Sequence, residues 1–509
     1  MKSRYLLNNA EAKRRLPKDG LPPLGFSVEE VIKATGGKLI SGEANIFALH
    51  VSSDTRSIKE GELFISIRGK KFDGHGFIAD AIKKGARIII VDNKFRFSVR
   101  NGYLRISGSK TACDCGKVSF VMVEDTVKAL MDIAQFHRAR LIHIPIIGVT
   151  GSCGKTTTKD MIYELLSTKY NVLKNEGTFN NFIGVSHTIL KLNKGIDMAV
   201  LEMGTSSPGE IKKLSNVIRP NVGVITNIGP SHLAFFKTLN NILGEKYELV
   251  NNLQSPRLAI LNTDDVLINN RAKNEEKALI FTVGINDKNY FSSAQTFSKR
   301  RPGLEKRDFS ASNVRIKSGV IDFTLNNKQQ LRINMLGLHN IYNALSAVAC
   351  AVVFGISPRQ IKKRMPDFIL PSTRINFKRI KGYNIIDDTY NSNPLSLEWA
   401  IDALKNFSIK GKKIFVMGDM LELGEKSILL HRQMAKKITE SGVNTLITVG
   451  RFSTYTADAV SARQEGVKVY SCGSNLEARG ILSGIIRSDD LILVKGSRAM
   501  QMEKIIEGL

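Results

Sequence analysis

Residues 143–160 read HIPIIGVTGSCGKTTTKD, an apolar run that breaks into glycines and resumes as a helix-forming stretch. A strand, a tight loop and a helix in immediate succession need a mainly parallel sheet to hold them. The loop departs from the usual Walker A spelling. Val149 stands where the first glycine of Gly-x4-Gly-Lys-Ser/Thr belongs, and the glycines fall at 148, 151 and 154. The strand before it and the helix after it still predict a phosphate cradle, in which backbone N–H groups converge on phosphate oxygens at a helix N-terminus. Gly151, Ser152, Gly154, Lys155, Thr156 and Thr157 form it. Lys155 is placed to reach terminal phosphates, and Thr156 or Thr157 to hold Mg²⁺.

The same alternation extends to both sides. MAVLEMG, VGVITNIG, RLAILN and ALIFTVG (198–284) are strand-like runs with helical stretches between several of them. Residues 287–335 switch to short alternating strands, as in an appended β element, and LGLHNIYNALSAVACAVVFG (336–355) is a helix. YNIIDD, KKIFVMGD, TLITVG, VKVYSC and DLILVKG (383–496) predict a second doubly wound unit. Before the loop, ELFISIRG and ARIIIVD flank the helix DGHGFIADAIKKG, residues 93–118 read as an elaborated polar loop, and VEDTVKALMDIAQFHRARL is an amphipathic helix. The expected fold is α/β in three domains behind a basic tail over 1–25: a small α/β domain over 26–142, a central P-loop domain with an appended β element over 143–370, and a C-terminal Rossmann-like domain over 371–509. A chain of 509 residues carries about three domains on length alone.

No apolar run approaches the ~20 residues of a membrane helix, and the basic N-terminus lacks the apolar core of a secretory signal, so a cytoplasmic protein is expected. Cys113, Cys115, Cys153, Cys350 and Cys472 are scattered and odd in number, which predicts free thiols. The net charge of +27 is spread along the chain with only short clusters such as KRRPGLEKR. It suits small anionic substrates, or approach to an anionic inner membrane face, better than specific nucleic-acid binding.

Two further residues join the loop at the sheet edge. Glu202 ends MAVLEMG, where a P-loop ATPase places a magnesium carboxylate; its bland alternative is a solvated strand end. His232 follows the next strand and falls at the same edge, where a second Mg²⁺ would sit.

Seven blocks occur in order along the chain: SSDTRSIKEGELFISIRGKKFDGHGFI, NEGTFNNFIGV, LEMGTSSPGEI, LGLHNIYNALSA, DDTYNSNP, GDMLELGEKS and LVKGSRAMQME. With the loop spelling GVTGSCGKTTTK they resemble the Mur ligase superfamily, ATP-dependent amide-forming ligases of peptidoglycan synthesis, from about residue 26 to the end. The similarity is to the branch that adds D-alanyl-D-alanine to a UDP-muramoyl tripeptide, since the DNPR-type motif of diaminopimelate-adding members is absent. The resemblance implies an N-terminal domain for the UDP-sugar, a central ATPase and a C-terminal domain that closes on ATP, in a monomer using ATP and two Mg²⁺. It implies that ATP phosphorylates the tripeptide carboxylate and that the dipeptide amine attacks the acyl phosphate.

By the same resemblance, Lys155 binds the β/γ-phosphates, Thr156 and Glu202 bind magnesium, and His232 helps the second metal. Lys246 matches a lysine that several of these ligases carbamylate, with a solvated helix lysine as the alternative on the residues alone. Asn343 approaches the adenine side. Arg374 and Asp388 close onto phosphate and ribose, although Thr373 replaces a common glycine and Asp387 competes with Asp388. Ser53, Asp54, Thr55 and Arg56, with Asp73, Gly74 and His75, embrace the uridine diphosphate. Asn180 and Asn181 line the muramoyl-peptide path or cap a helix, Tyr390 and Asn391 join the substrate side, and Asp419, Glu422 and Lys495 shape the dipeptide pocket. The rivals are another amino-acid ligase of the superfamily and a P-loop ATPase that binds polyanions.

Overall fold

The computed structural model describes residues 24–509 apart from 70–71, 101, 107–111, 117, 288–306, 318 and 370–373. Most of the basic tail, most of KRRPGLEKR, and Thr373 lie outside the described residues.

The central sheet has nine strands in the order Val172–Lys174, Met198–Glu202, Ile146–Thr150, Val222–Ile225, Leu258–Asn262, Leu279–Ile285, Phe309–Lys317, Val320–Leu325 and Gln329–Ile333. The first seven run parallel and the last two pair antiparallel. Ile146–Thr150, Met198–Glu202 and Leu258–Asn262 are buried at every residue. Helices cover both faces of such strands, which is why they read as unbroken apolar runs. The appended β element is therefore a continuation of this sheet. The chain leaves Ile146–Thr150 to one side and returns to the other, and that switch point opens a crevice at the strands' C-terminal ends.

The C-terminal sheet has the order Asn376–Ile380, Tyr383–Asp388, Leu491–Lys495, Lys413–Gly418, Thr445–Val449 and Lys468–Cys472, all parallel but the first. Its C-terminal edge faces that of the central sheet. The N-terminal sheet orders Lys38–Ser41, Ser119–Val123, Ile88–Asp92, Leu63–Ile65 and Val51–Ser52, with only the first antiparallel.

One expectation is corrected. The stretch 93–118 is not a loop but carries a three-stranded antiparallel sheet, Phe97–Arg100, Tyr103–Ile106 and Ala112–Asp114. Phe97–Arg100 alternates half-buried and exposed residues. Phe97 packs between Phe95 and Phe120, with ring centroids 5.4 and 5.2 Å away, so a few apolar side chains anchor a sheet whose other face is polar. No helix among the described residues is long and apolar enough to cross a membrane.

Candidate active site

The facing sheet edges enclose a cleft of about 320 Å³. Its floor is the phosphate loop, which runs from Ile146–Thr150 into the helix Lys155–Leu166. Val149 is fully buried in that strand, so the first Walker glycine is not needed where it stands. The other two loop glycines are. Gly151 has φ +151° and Gly154 φ +81°, and an added Cβ would fall 1.9 Å from Thr226 Oγ1 and 2.5 Å from Asn343 Oδ1 respectively. The loop is clamped by the exit of the next strand. Thr226 Oγ1 and Asn227 Nδ2 donate to Cys153 O at 2.5 and 3.0 Å, and Cys153 N donates to Asn227 Oδ1 at 2.9 Å. Within VGVITNIG nothing in the sequence pattern marks Thr226 and Asn227.

Lys155 Nζ curls back to donate to Gly151 O at 2.9 Å. Burial holds its ammonium below the ordinary lysine value, against the pull of Glu202. Glu202 is 1% exposed, which disposes of the solvated-strand-end reading. Its carboxylate accepts from Thr156 Oγ1 at 2.6 Å and from Asn180 Nδ2 at 2.7 Å. Asn175, fully buried, brackets Glu202 from behind: its Oδ1 accepts from Glu202 N at 2.9 Å and its Nδ2 donates to Glu202 O at 3.0 Å. Thr157 lines the cleft. Asn180 and Asn181 both line the cleft, and Asn181 Oδ1 caps the helix Phe182–Ile189 through Gly184 N, as the helix-cap alternative expects.

His232 also lines the cleft. Its Nδ1 lies 2.6 Å from Glu422 Oε2, across the boundary between the central and C-terminal sheets, and Ala234 N donates to Glu422 O at 3.0 Å. Lys246 is 2% exposed in the helix Leu239–Asn251, so the solvated-helix alternative is excluded. Burial, then the nearby Lys155, drives its pKa down to about 7. It stands behind the cleft wall rather than on it.

From the C-terminal side come Arg374, whose guanidinium lies 4.1 Å from the Tyr390 ring centroid, and Asp388. Asp388 accepts from Lys495 Nζ and from Ile375 N. Burial raises its carboxyl, opposed by Lys495. Asp387 is bonded to Thr389 Oγ1 at 2.7 Å and Lys378 Nζ at 2.6 Å, so of the two acids it is Asp388 that lines the cleft. Asn391 lines the cleft, its backbone carbonyl accepting from Lys495 Nζ at 2.8 Å. Asn343 serves the wall and its helix at once, accepting from Thr158 Oγ1 at 3.1 Å and donating to Asn340 Oδ1 at 2.8 Å.

Asp419, Glu422 and Lys495 bond to different partners, and of the three Lys495 lines the cleft. Asp419 accepts from Ser453 N at 2.7 Å inside the C-terminal domain, Glu422 meets His232, and Lys495 meets Asp388. Strand ends that are neighbours in sequence pattern fan out over the sheet edge.

Ser53, Asp54, Thr55, Arg56, Asp73, Gly74 and His75 lie outside the cleft lining, at the C-terminal ends of the N-terminal strands Val51–Ser52 and Leu63–Ile65. The exposed Arg56 holds the Asp54 carboxyl at about 2, and Lys84 Nζ donates to Thr55 O at 2.6 Å. His75 is locked inside the fold, its Nδ1 2.6 Å from Asp73 Oδ1 and its Nε2 accepting from Asp92 N at 3.1 Å. Ser53 Oγ meets His187 Nε2 at 2.8 Å, and His187 sits in the helix that Asn181 caps. Among the described residues, Cys153, Cys350 and Cys472 are free thiols.

Residues 49–138 match the description "Mur ligase family, catalytic domain", 149–351 "Mur ligase middle domain", and 373–498 "Mur ligase, glutamate ligase domain". The chain is 31% identical to a UDP-N-acetylmuramoyl-tripeptide–D-alanyl-D-alanine ligase of Bacillus subtilis, over 95% of this chain and 98% of the relative. The crystal structure of MurF from Acinetobacter baumannii superimposes with a TM-score of 0.81 at 26% identity, covering 96% and 99% of the two chains. A MurF ligase from Thermotoga maritima in complex with ADP gives 0.71 at 25% identity, over 90% and 96%.

Proposed function

The chain belongs to the Mur ligase family, and from that premise we propose that it joins D-alanyl-D-alanine to UDP-N-acetylmuramoyl-tripeptide at the cost of ATP, completing the UDP-muramoyl-pentapeptide precursor of peptidoglycan. One observation supports this reading above the others. The phosphate loop, the Thr156–Glu202 pair and the Asn180–Asn181 loop share one cleft with Arg374 and Asp388 of the opposing domain. Such a cleft can hold a nucleotide's phosphates beside a second anion.

A carboxylate is a poor electrophile. Transfer of the γ-phosphoryl group to its oxygen creates a leaving group; the dipeptide amine then attacks the acyl carbon, and ADP and phosphate are released. In this scheme Lys155 and the loop N–H groups bind the β/γ-phosphates and offset the charge that accumulates as two anions meet. Arg374 adds a cation from the other side, Asp388 takes the ribose and Asn343 approaches the base. Asn180 and Asn181 orient the peptide carboxylate, with Tyr390 and Asn391 opposite.

Glu202 and Thr156 offer the hard oxygen donors that suit Mg²⁺, and His232 lies on the same cleft for a second ion. Magnesium, when bound, supplies further charge neutralisation to the phosphates. At neutral pH much of the Lys246 population is unprotonated, given its value of about 7. Such an amine can add CO₂, forming an N–C bond and releasing a proton, which would turn a cation into an anionic metal ligand.

On this reading residues 26–142, with Ser53–Arg56 and Asp73–His75, hold the uridine diphosphate end, 143–370 bind ATP and 371–509 close over it, in a cytoplasmic monomer. ADP release should require both UDP-tripeptide and D-Ala-D-Ala, with the pentapeptide seen by mass. ATP turnover indifferent to both substrates but stimulated by a polyanionic polymer would favour a P-loop ATPase instead.

A further inference from the structure

One aromatic contact in the cleft is not used by the reaction as described. The rings of His339 and Trp399 stack with centroids 4.4 Å apart and planes within 3°, and both line the cleft. His339 begins the helix His339–Val353 of the central domain, and Trp399 lies in the helix Pro394–Lys405 of the C-terminal domain.

Both helices are anchored at the phosphate loop. Asn343 fills the space beside Gly154, and Asn393, which caps the second helix, has its Nδ2 3.3 Å from Cys153 Sγ. From these anchors His339 is four residues away and Trp399 six, about 6 and 9 Å along the two axes. Ser396 lies between Asn393 and Trp399 on the same helix face and also lines the cleft. The groove between the helices thus starts at the phosphate loop and ends at the ring pair. A ligand held by its phosphates at the loop carries whatever is attached to them toward these rings.

The pair has unspent binding capacity. His339 is 9% exposed, yet its Nδ1 has no hydrogen-bond partner. Burial holds its imidazolium pKa down to about 3, so the ring is neutral, with one donor and one acceptor nitrogen. Gly337 leaves that edge open, since a Cβ there would come within 2.7 Å of Nδ1. Trp399 is half-buried and keeps part of its indole toward the cleft.

Resting on the ATP-dependent reading above, we propose that Trp399 and His339 recognise the base of the nucleotide, the indole as a stacking surface for a purine and the imidazole as a hydrogen-bonding group for its edge. Because the two rings belong to different domains, base recognition requires the domains to be together. Trp399 is then a specificity-determining residue.

Calorimetry of the full chain with ADP and with inorganic tripolyphosphate tests this. Trp399→Leu keeps apolar bulk and removes the π-face. It should weaken ADP roughly 10- to 100-fold, in line with base–aromatic stacking, and leave tripolyphosphate binding unchanged. Trp399→Phe should restore most of the loss, and Trp399→Leu should narrow the preference for ATP over CTP. Trp399 is the only tryptophan, so ADP should shift the intrinsic emission and tripolyphosphate should not. Wild-type ADP affinity in Trp399→Leu, or parallel loss of ADP and tripolyphosphate, overturns the proposal. A wild-type chain that binds tripolyphosphate but not ADP overturns it as well, whereas one that binds neither removes the ATP-dependent reading on which it rests.

Discussion

Asp388 and Lys495 stand opposite each other in register at the ends of two parallel strands and pair inside the protein, their side chains 8% and 1% exposed. The lysine therefore depends on a carboxylate that the proposed chemistry also claims for ATP. Asp388→Asn should strip a buried cation of its partner and cost about 3–5 kcal/mol of stability. Asp388→Asn combined with Lys495→Met should recover much of that loss in denaturant melts while ATP binding stays impaired. Full recovery of both would mean that Asp388 serves the fold alone.

Lys155→Ala removes the cation curled over the phosphate loop. Ligation should fall by at least about 10²-fold, the scale for losing one preorganised charge-stabilising group. UDP-tripeptide binding, assigned to the N-terminal domain, should change little in calorimetry. Loss of both would show that the sites are misassigned.

Glu202→Gln keeps one oxygen to accept from Thr156 but removes the negative charge at the proposed magnesium position. The Mg²⁺ concentration for half-maximal ligation should rise about 10- to 100-fold, as when metal-site partners are removed. An unchanged magnesium titration would dismiss Glu202 as a ligand.

Lys246 gives a prediction with a definite pH sign. Its folded pKa of about 7 lies below its ordinary 10.5, so between those values the unfolded chain binds more protons and stability rises with pH. The penalty for burying it is fullest below pH 7. In bicarbonate-free buffer, Lys246→Met should raise the melting temperature more at pH 6 than at pH 9. Added bicarbonate should raise wild-type activity as pH climbs from 6 to 8, and Lys246→Met should not respond.

What was legible in the sequence follows from how far apart the determinants lie. Parallel strands buried on both faces announce themselves as apolar runs, and all five strands expected in 383–496 are present. Val172–Lys174 is three residues long and half-buried at two of them, too short for any pattern. Lys155, Thr156 and Glu202 could be placed because each sits at a fixed offset from a strand end. Asn175, Trp399 and the His232–Glu422 contact could not, because their partners come from 27, 60 and 190 residues away. The separate partners of Asp419, Glu422 and Lys495 were hidden for the same reason, since strand ends share an edge while side chains on that edge diverge with the twist of the sheet.

The helix Phe182–Ile189 touches the cleft with its cap at Asn181 and the N-terminal domain with His187, six residues on. A helical spacer of that length is rigid and about 9 Å long. On the proposed reading it acts as a ruler set between the uridine diphosphate anchor and the point of chemistry. A peptide one residue short would leave its carboxylate stranded before the phosphate loop, and one residue too long would overrun it. Selection for a tripeptide would then be a property of backbone geometry, beyond the reach of any single side-chain exchange in the cleft.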